Sequence, residues 1–295
     1  MAIQVGSIVG RRSYGCDVLF RVIEIRESQG QTMAILKGEE MRLLADADVR
    51  DLDPLQEQYK QERREKTRSL EKQSLALFQQ DLEYIRERHE YDVTNAYEEE
   101  VAYFSLPGKV LHIDGDPTYL QKCVSLYQEV GVPVYGVHCQ ETEMPYRIES
   151  LLAKYQPDIL VITGHDAYSK SKGKKTDINA YRHSRHFVET VQKARGKCPS
   201  LDQLIIFAGA CQSHFESIIQ AGANFASSPS RVNIHALDPV YIVSKISFTP
   251  FTQPVHVWDV LRNTLTGEKG LGGIETKGVL RTGMPYQPHD EESPG

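Results

Sequence analysis

The chain has 295 residues, 40% of them hydrophobic and 25% charged, and a formal net charge of −6. That length suits one large domain or two modest ones. The acidic balance gives no reason to expect a nucleic-acid partner, and no apolar run is long enough to span a membrane. The opening MAIQVGSIVGRRSYG has no charged segment followed by a long apolar one, so no secretory signal is expected. The five cysteines, at 16, 123, 139, 198 and 211, include no CxxC pair. They argue for reduced thiols in a cytoplasmic compartment and against a disulfide framework or a zinc site; no metal or cofactor is expected.

Residues 1–50 read as short strands: IQVGSIVGR, DVLFRVIEIR, TMAILKG and EMRLLADADV. Their β-branched clusters and Gly or Ser breaks predict a small SH3-like β-barrel, a module that binds or positions rather than reacts. Residues 53–100 change to a highly charged stretch without glycine, in which Leu70, Leu77, Leu82 and Ile85 mark one or two helices. This is expected to be a helical connector. From about residue 105 to 290 strand-like and helix-like segments alternate. KVLHID, PVYGVHC, DILVITG, QLIIFAG and NFASS are the strands, with TYLQKCVSLYQEVG, PYRIESLLAKYQ, NAYRHSRHFVETVQKA and HFESIIQAGA as helices. That rhythm predicts a doubly wound α/β domain with a mainly parallel sheet. Residues 247–290 read as an extended wrap rich in Pro, Gly and Thr.

In such a sheet functional groups gather at the carboxyl ends of the strands, where Asp114, His165 and Cys211 fall. DILVITGHDAYS and LIIFAGACQSH each place a reactive residue after an apolar strand and a glycine. If the two strands are neighbours, imidazole and thiol emerge at one edge. The histidine then takes the thiol proton or protonates a leaving amine. A cysteine after an apolar strand is, taken alone, more often a packed core residue; the matching histidine strand is what favours a nucleophile. The other four cysteines have no comparable setting.

This pair of motifs resembles the caspase–legumain–gingipain clan of cysteine peptidases, with a strand ending in His and a later one ending in Ala-Cys. The two residues stand 46 apart, close to the roughly 50 of caspases. The histidine motif departs from the clan, having Asp166 where Gly is usual. The resemblance implies a caspase-like α/β/α sandwich, with the N–H of residue 166 beside Gly164 as an oxyanion donor and a substrate pocket built from NFASSPSRVNIHALD, which contains Ser228 and Asp238. Longer stretches are similar to the YabG family of sporulation peptidases: VGSIVGRRSYGCDVLFRVI, VITGHDAYSKSKG, FAGACQSHFESIIQAGANFASSPSRVNIHALDPV and WDVLRNTLTGEKGLGGIETKGVLRTGMP. That resemblance implies processing of spore coat and cortex proteins in the mother-cell cytoplasm, beside the forming coat, with cleavage after arginine. Protein substrates are then the expected partners. An arginine-selecting pocket needs a carboxylate. Asp238 is the acid best placed in sequence, unless it only opens a turn before Pro239; Asp166 is the second, unless it orients the imidazole.

Two rival readings are open. HIDGDPTYL fits the DxDxT signature of haloacid-dehalogenase-like phosphohydrolases, with Asp114 and Asp116 as the reacting pair. The later strand end, GACQS, however, lacks the carboxylates that magnesium would need, so DGDPT reads better as a helix cap. A non-catalytic binding module on a caspase-like scaffold is the other rival. His214, three residues beyond Cys211, and the basic loop KSKGKK are weaker site features; His138 reads as a packed core residue and His183 and His186 as a solvated helix face.

Overall fold

The computed structural model of the chain describes residues 3–28, 30–94 and 102–284. Stretches 95–100 of the expected connector and 285–290 of the expected peptidase domain lie outside the described residues.

Alternating burial builds the N-terminal unit. β1 (Ile8–Arg11), β2 (Phe20–Ser28), β3 (Gln31–Gly38), β4 (Leu44–Asp48) and β5 (Leu52–Pro54) form one antiparallel sheet in the order β4-β3-β2-β1-β5. Phe20 and Val22, then Ala34 and Leu36, point to its core side while their neighbours face outward. The connector is a single helix, α1 (Glu57–Thr94), 38 residues long. Its apolar contacts are few, so tertiary anchors fix it. Phe78 meets Tyr241 edge-on with ring centres 5.1 Å apart, and Lys245 Nζ reaches Asp81 at 2.6 Å.

After β6 (Phe104–Leu106) the chain alternates β7 (Val110–Asp114), α2 (Pro117–Val130), β8 (Val134–His138), α3 (Met144–Tyr155), β9 (Ile159–Thr163), α4 (Ser184–Lys197), β10 (Ile205–Ala208), α5 (Phe215–Gln220) and β11 (Phe225–Ser227). The strands stand in the order β8-β7-β9-β10-β11 and run parallel. All five apolar strands read from the sequence therefore lie in one sheet. Both faces are covered, which is why these strands are nearly continuous apolar runs. Val110, Val161, Ile205 and Phe207 pack toward α2 and the helix that begins at Asp238, whereas Leu111, Ile113, Ile162 and Ile206 pack toward α3, α4 and α5. The order changes direction between β7 and β9, and the cleft above their carboxyl ends is where such sheets bind ligands.

The C-terminal part is more regular than the expected wrap. α6 (Asp238–Phe248) is followed by β12 (Pro254–Val255), α7 (Val257–Leu261), β13 (Leu271–Gly273), β14 (Thr276–Lys277) and β15 (Arg281–Gly283). β13 joins the main sheet antiparallel to β11, and β15 pairs with β6. No helix among the described residues is long and apolar enough to cross a membrane.

Candidate active site

β9 and β10 are direct neighbours in register, Ile162 opposite Ala208. His165 and Cys211 therefore leave adjacent strand ends at one edge of the sheet. Their side chains are held by different groups. One Glu141 oxygen, Oε1, accepts the His165 main-chain N–H at 2.6 Å and lies 3.2 Å from its Nδ1. On the other side Nε2 lies 3.0 Å from Asp116 Oδ2, an ion contact too oblique to be a hydrogen bond. Burial works against a charged ring, but Asp116 and Glu141 overcome it and raise the His165 pKa to about 9. At neutral pH this histidine is a cation between two carboxylates.

Asp116 reaches this position because it caps α2. Its Oδ1 accepts the N–H groups of Thr118 and Tyr119, and Pro117 starts the helix. The DGDPT segment is thus a helix cap, as its residue types suggest. The free face of the cap carboxylate turns to His165 and also pairs with Lys37 of the N-terminal sheet.

Cys211 follows β10 through a turn that uses left-handed backbone at Gly209 (φ +113°) and Gln212 (φ +57°). Its thiol is fully buried and donates to the Ile234 carbonyl at 3.6 Å, with the main chain of Arg42 also against the sulfur. Burial pushes the thiol up to about 12, against the pull of those main-chain groups. Thiol and imidazole are both protonated in this arrangement, and neither ring nitrogen of His165 is turned to the sulfur. In the turn, the N–H of Ala210 is taken by Ser213 Oγ and that of Gln212 by the Val232 carbonyl, which leaves oxyanion binding to other donors.

Asp166 is a junction. It accepts the N–H groups of Ala167 and His183 at 2.9 and 2.8 Å, and the hydroxyls of Ser184 and Ser213. Ser184 Oγ in turn accepts the His214 N–H at 2.8 Å. The carboxylate thus ties the loop after β9 and the start of α4 to the loop carrying Cys211, and makes no bond to the His165 ring. Gly164 lies against Glu141, leaving no room for a side chain. Ser228 is buried with φ +68° and donates its hydroxyl to the Val232 carbonyl at 2.5 Å, shaping the loop beyond β11. Asp238 starts α6, fully buried, and accepts the N–H groups of His235 and Leu265 and the Thr266 hydroxyl. His214 caps α5 through Nδ1, 3.3 Å from the Ser217 N–H. His138 is solvent-exposed, with Nε2 3.3 Å from the Gly115 carbonyl, rather than in the core.

Asp114 is fully buried at the end of β7. Its Oδ2 receives Arg42 Nη2 at 2.7 Å and Nε at 3.2 Å, and the Thr163 hydroxyl at 2.9 Å. Its Oδ1 receives the Asp116 N–H at 2.9 Å. Arg42 holds the carboxyl well below its ordinary range against the cost of burial. An ion-paired, fully hydrogen-bonded carboxylate is poorly placed to attack phosphorus. Sequence reasoning missed Glu141 and Arg42. Glu141 follows the end of β8, so the strand-end rule that marked the other positions pointed there too; nothing local marks Arg42.

A family model described as YabG peptidase U57 matches residues 4–285. The "Sporulation-specific protease YabG" of Bacillus subtilis (strain 168) is 63% identical over 288 residues, covering 97% of this chain and 99% of that protein. No solved structure matches the chain. With a whole-length family match and a whole-length relative in agreement, the chain belongs to the YabG peptidase family.

Proposed function

We propose that this peptidase is a cysteine endopeptidase of sporulation, with Cys211 as nucleophile and His165 as general acid and base, cutting spore coat and cortex proteins after arginine in the mother cell. The observation that carries this reading is the pairing of β9 with β10, which brings a Gly-His and a Gly-Ala-Cys turn to one sheet edge. The caspase-like sandwich and an SH3-like N-terminal barrel belong to the same reading.

In the working state His165 first gives the proton it carries here to water, and the neutral imidazole then takes the thiol proton as the sulfur attacks the carbonyl carbon of the scissile bond. The resulting oxyanion is held by main-chain N–H groups, that of residue 166 first among them. The imidazolium, stabilised by Asp116 and Glu141, gives its proton to the departing amine. Water, deprotonated by the same ring, then releases the acyl group from sulfur. Asp166 positions the Cys211 loop through Ser213. The carboxylate of Asp238 is taken up by its own helix start and by the loop at Leu265, so another acid is better suited to read arginine.

Cys211→Ala tests the reading. It removes one sulfur from the core, which costs about 1 kcal/mol of packing, and should abolish cleavage of arginine-containing protein substrates while the fold survives. Undiminished cleavage by a folded Cys211→Ala protein refutes the mechanism and means that another group of the chain attacks the peptide bond.

A further inference from the structure

Cys211 cannot meet a substrate in this structure, since it is fully buried, and what buries it comes partly from the N-terminal sheet. Residues 39–43, between β3 and β4, cross the carboxyl edge of the parallel sheet. Met41 bridges His235 in antiparallel fashion on one side, and Leu43 bridges Asp166 in parallel fashion on the other. A short extended segment paired through its main chain on both sides is how clefts of this kind take a peptide. Between those two residues the side chain of Arg42 enters the core, fully buried. Its guanidinium meets Asp114 twice, the Ala236 carbonyl at 2.5 Å and Cys123 Sγ at 3.3 Å, with the Tyr119 ring 5.3 Å away. Its own main chain lies against the sulfur of Cys211.

We propose that Asp114 is the arginine-selecting acid of this peptidase and that Arg42 occupies its pocket in cis, so that the N-terminal sheet holds the enzyme latent until residues 39–43 withdraw. The inference rests on the reading of Cys211 as the nucleophile of an arginine-directed peptidase. Main chain at the thiol with side chain on a buried carboxylate is the placement a substrate arginine needs. Asp114 is held for that task by Thr163 and the Asp116 N–H. A buried ion pair adds little stability over apolar packing, so joining two units is a weak reason to keep one at the switch point of the sheet. The segment is also fastened by its neighbours. The Tyr119 hydroxyl shares its one proton between the Gly38 and Met41 carbonyls, at 2.6 and 3.0 Å, and Lys37 pairs with Asp116.

The test uses the full chain and two chloromethyl ketones of equal length, one ending in arginine and one in alanine, with labelling of Cys211 followed by mass spectrometry. Wild-type protein reacts slowly. Arg42→Ala reacts about tenfold faster with both reagents, because the open fraction sets the apparent rate, and it labels faster with the arginyl reagent than with the alanyl one. Removing Arg42 leaves Asp114 buried without its partner and threatens the fold, so Tyr119→Phe is the second variant. It keeps the ion pair, releases the clamp, and should speed arginyl labelling about threefold, the effect of one hydrogen bond. Folding of each is checked by near-UV circular dichroism. Unchanged labelling of folded Arg42→Ala, or of Tyr119→Phe where the first does not fold, overturns latency. No preference for the arginyl over the alanyl reagent in folded Arg42→Ala, or in Tyr119→Phe where the first does not fold, overturns Asp114 as the selecting acid. Failure of the underlying reading of Cys211 as nucleophile shows itself separately, as full proteolysis by Cys211→Ala.

Discussion

Glu141 holds His165 by two atoms at once: one carboxylate oxygen takes the main-chain N–H and also faces ring Nδ1. Asp116 faces the opposite nitrogen. The consequence is a linkage between pH and stability. The folded His165 pKa, about 9, lies above its unfolded value, so the folded state binds the proton more tightly. That stabilisation is complete below about pH 6.5, the ordinary histidine value, and amounts to on the order of 3 kcal/mol. It is lost as pH rises through about 9. Urea unfolding of wild-type protein at pH 6.5 and 9.5 should show this loss, and His165→Gln should show much less of it. Equal pH sensitivity in the two proteins rejects the ion-paired histidine.

Asp166 is expected to act on catalysis through position. Asp166→Asn replaces one acceptor oxygen by an NH2 group facing hydroxyl and main-chain donors, which leaves at least one of them unpaired. Stability should fall by about 1–3 kcal/mol. Because Ser213 loses its anchor and the Cys211 loop loosens, kcat should drop well beyond any rise in KM. A variant with unchanged kcat and a large KM effect places Asp166 in substrate binding instead.

Asp238→Asn separates structure from specificity. The buried carboxylate serves His235, Leu265 and Thr266, so the expected result is a lower melting temperature, from a loss of about 1–3 kcal/mol, with arginine preference intact. Paired peptide substrates that differ only in arginine or alanine before the cleaved bond measure this directly. Lost preference at unchanged stability returns Asp238 to the pocket wall.

The parts of the fold legible in the sequence are those where one force dominates. The five parallel strands are apolar on both faces and bounded by turns, so they read clearly. α6 did not, because Val240, Tyr241, Ile242, Val243 and Ile246 are all buried and a helix covered on every side shows no amphipathic period. Cys211 and His165 were legible because a strand end is a local feature. Glu141 stands 24 residues from His165 and Arg42 stands 72 from Asp114. The strand order of the parallel sheet brings the first pair together, and the packing of the two sheets brings the second; a strand end marks Glu141, but no local pattern of charge announces either partnership. Asp116 was legible as a cap, yet the use of its second oxygen depends on where β9 ends.

Gly164 tests how closely Glu141 must approach. A methyl group at this position would meet the Glu141 carboxylate well inside contact distance, and Gly115 crowds the same group from the other side. Gly164→Ala should therefore push Glu141 off the His165 N–H, lower the histidine pKa and reduce kcat. Glu141→Gln should weaken the same contact by removing its charge while keeping its shape. If both act through the one carboxylate, their effects are shared, and the double variant loses clearly less than the two single losses combined. The measurement is a double-mutant cycle on kcat, with the alkaline limit of stability followed in parallel as a reading of the His165 proton. Simple additivity of the two losses would falsify a common route through Glu141, and would mean that Gly164 matters for its own main-chain path to His165.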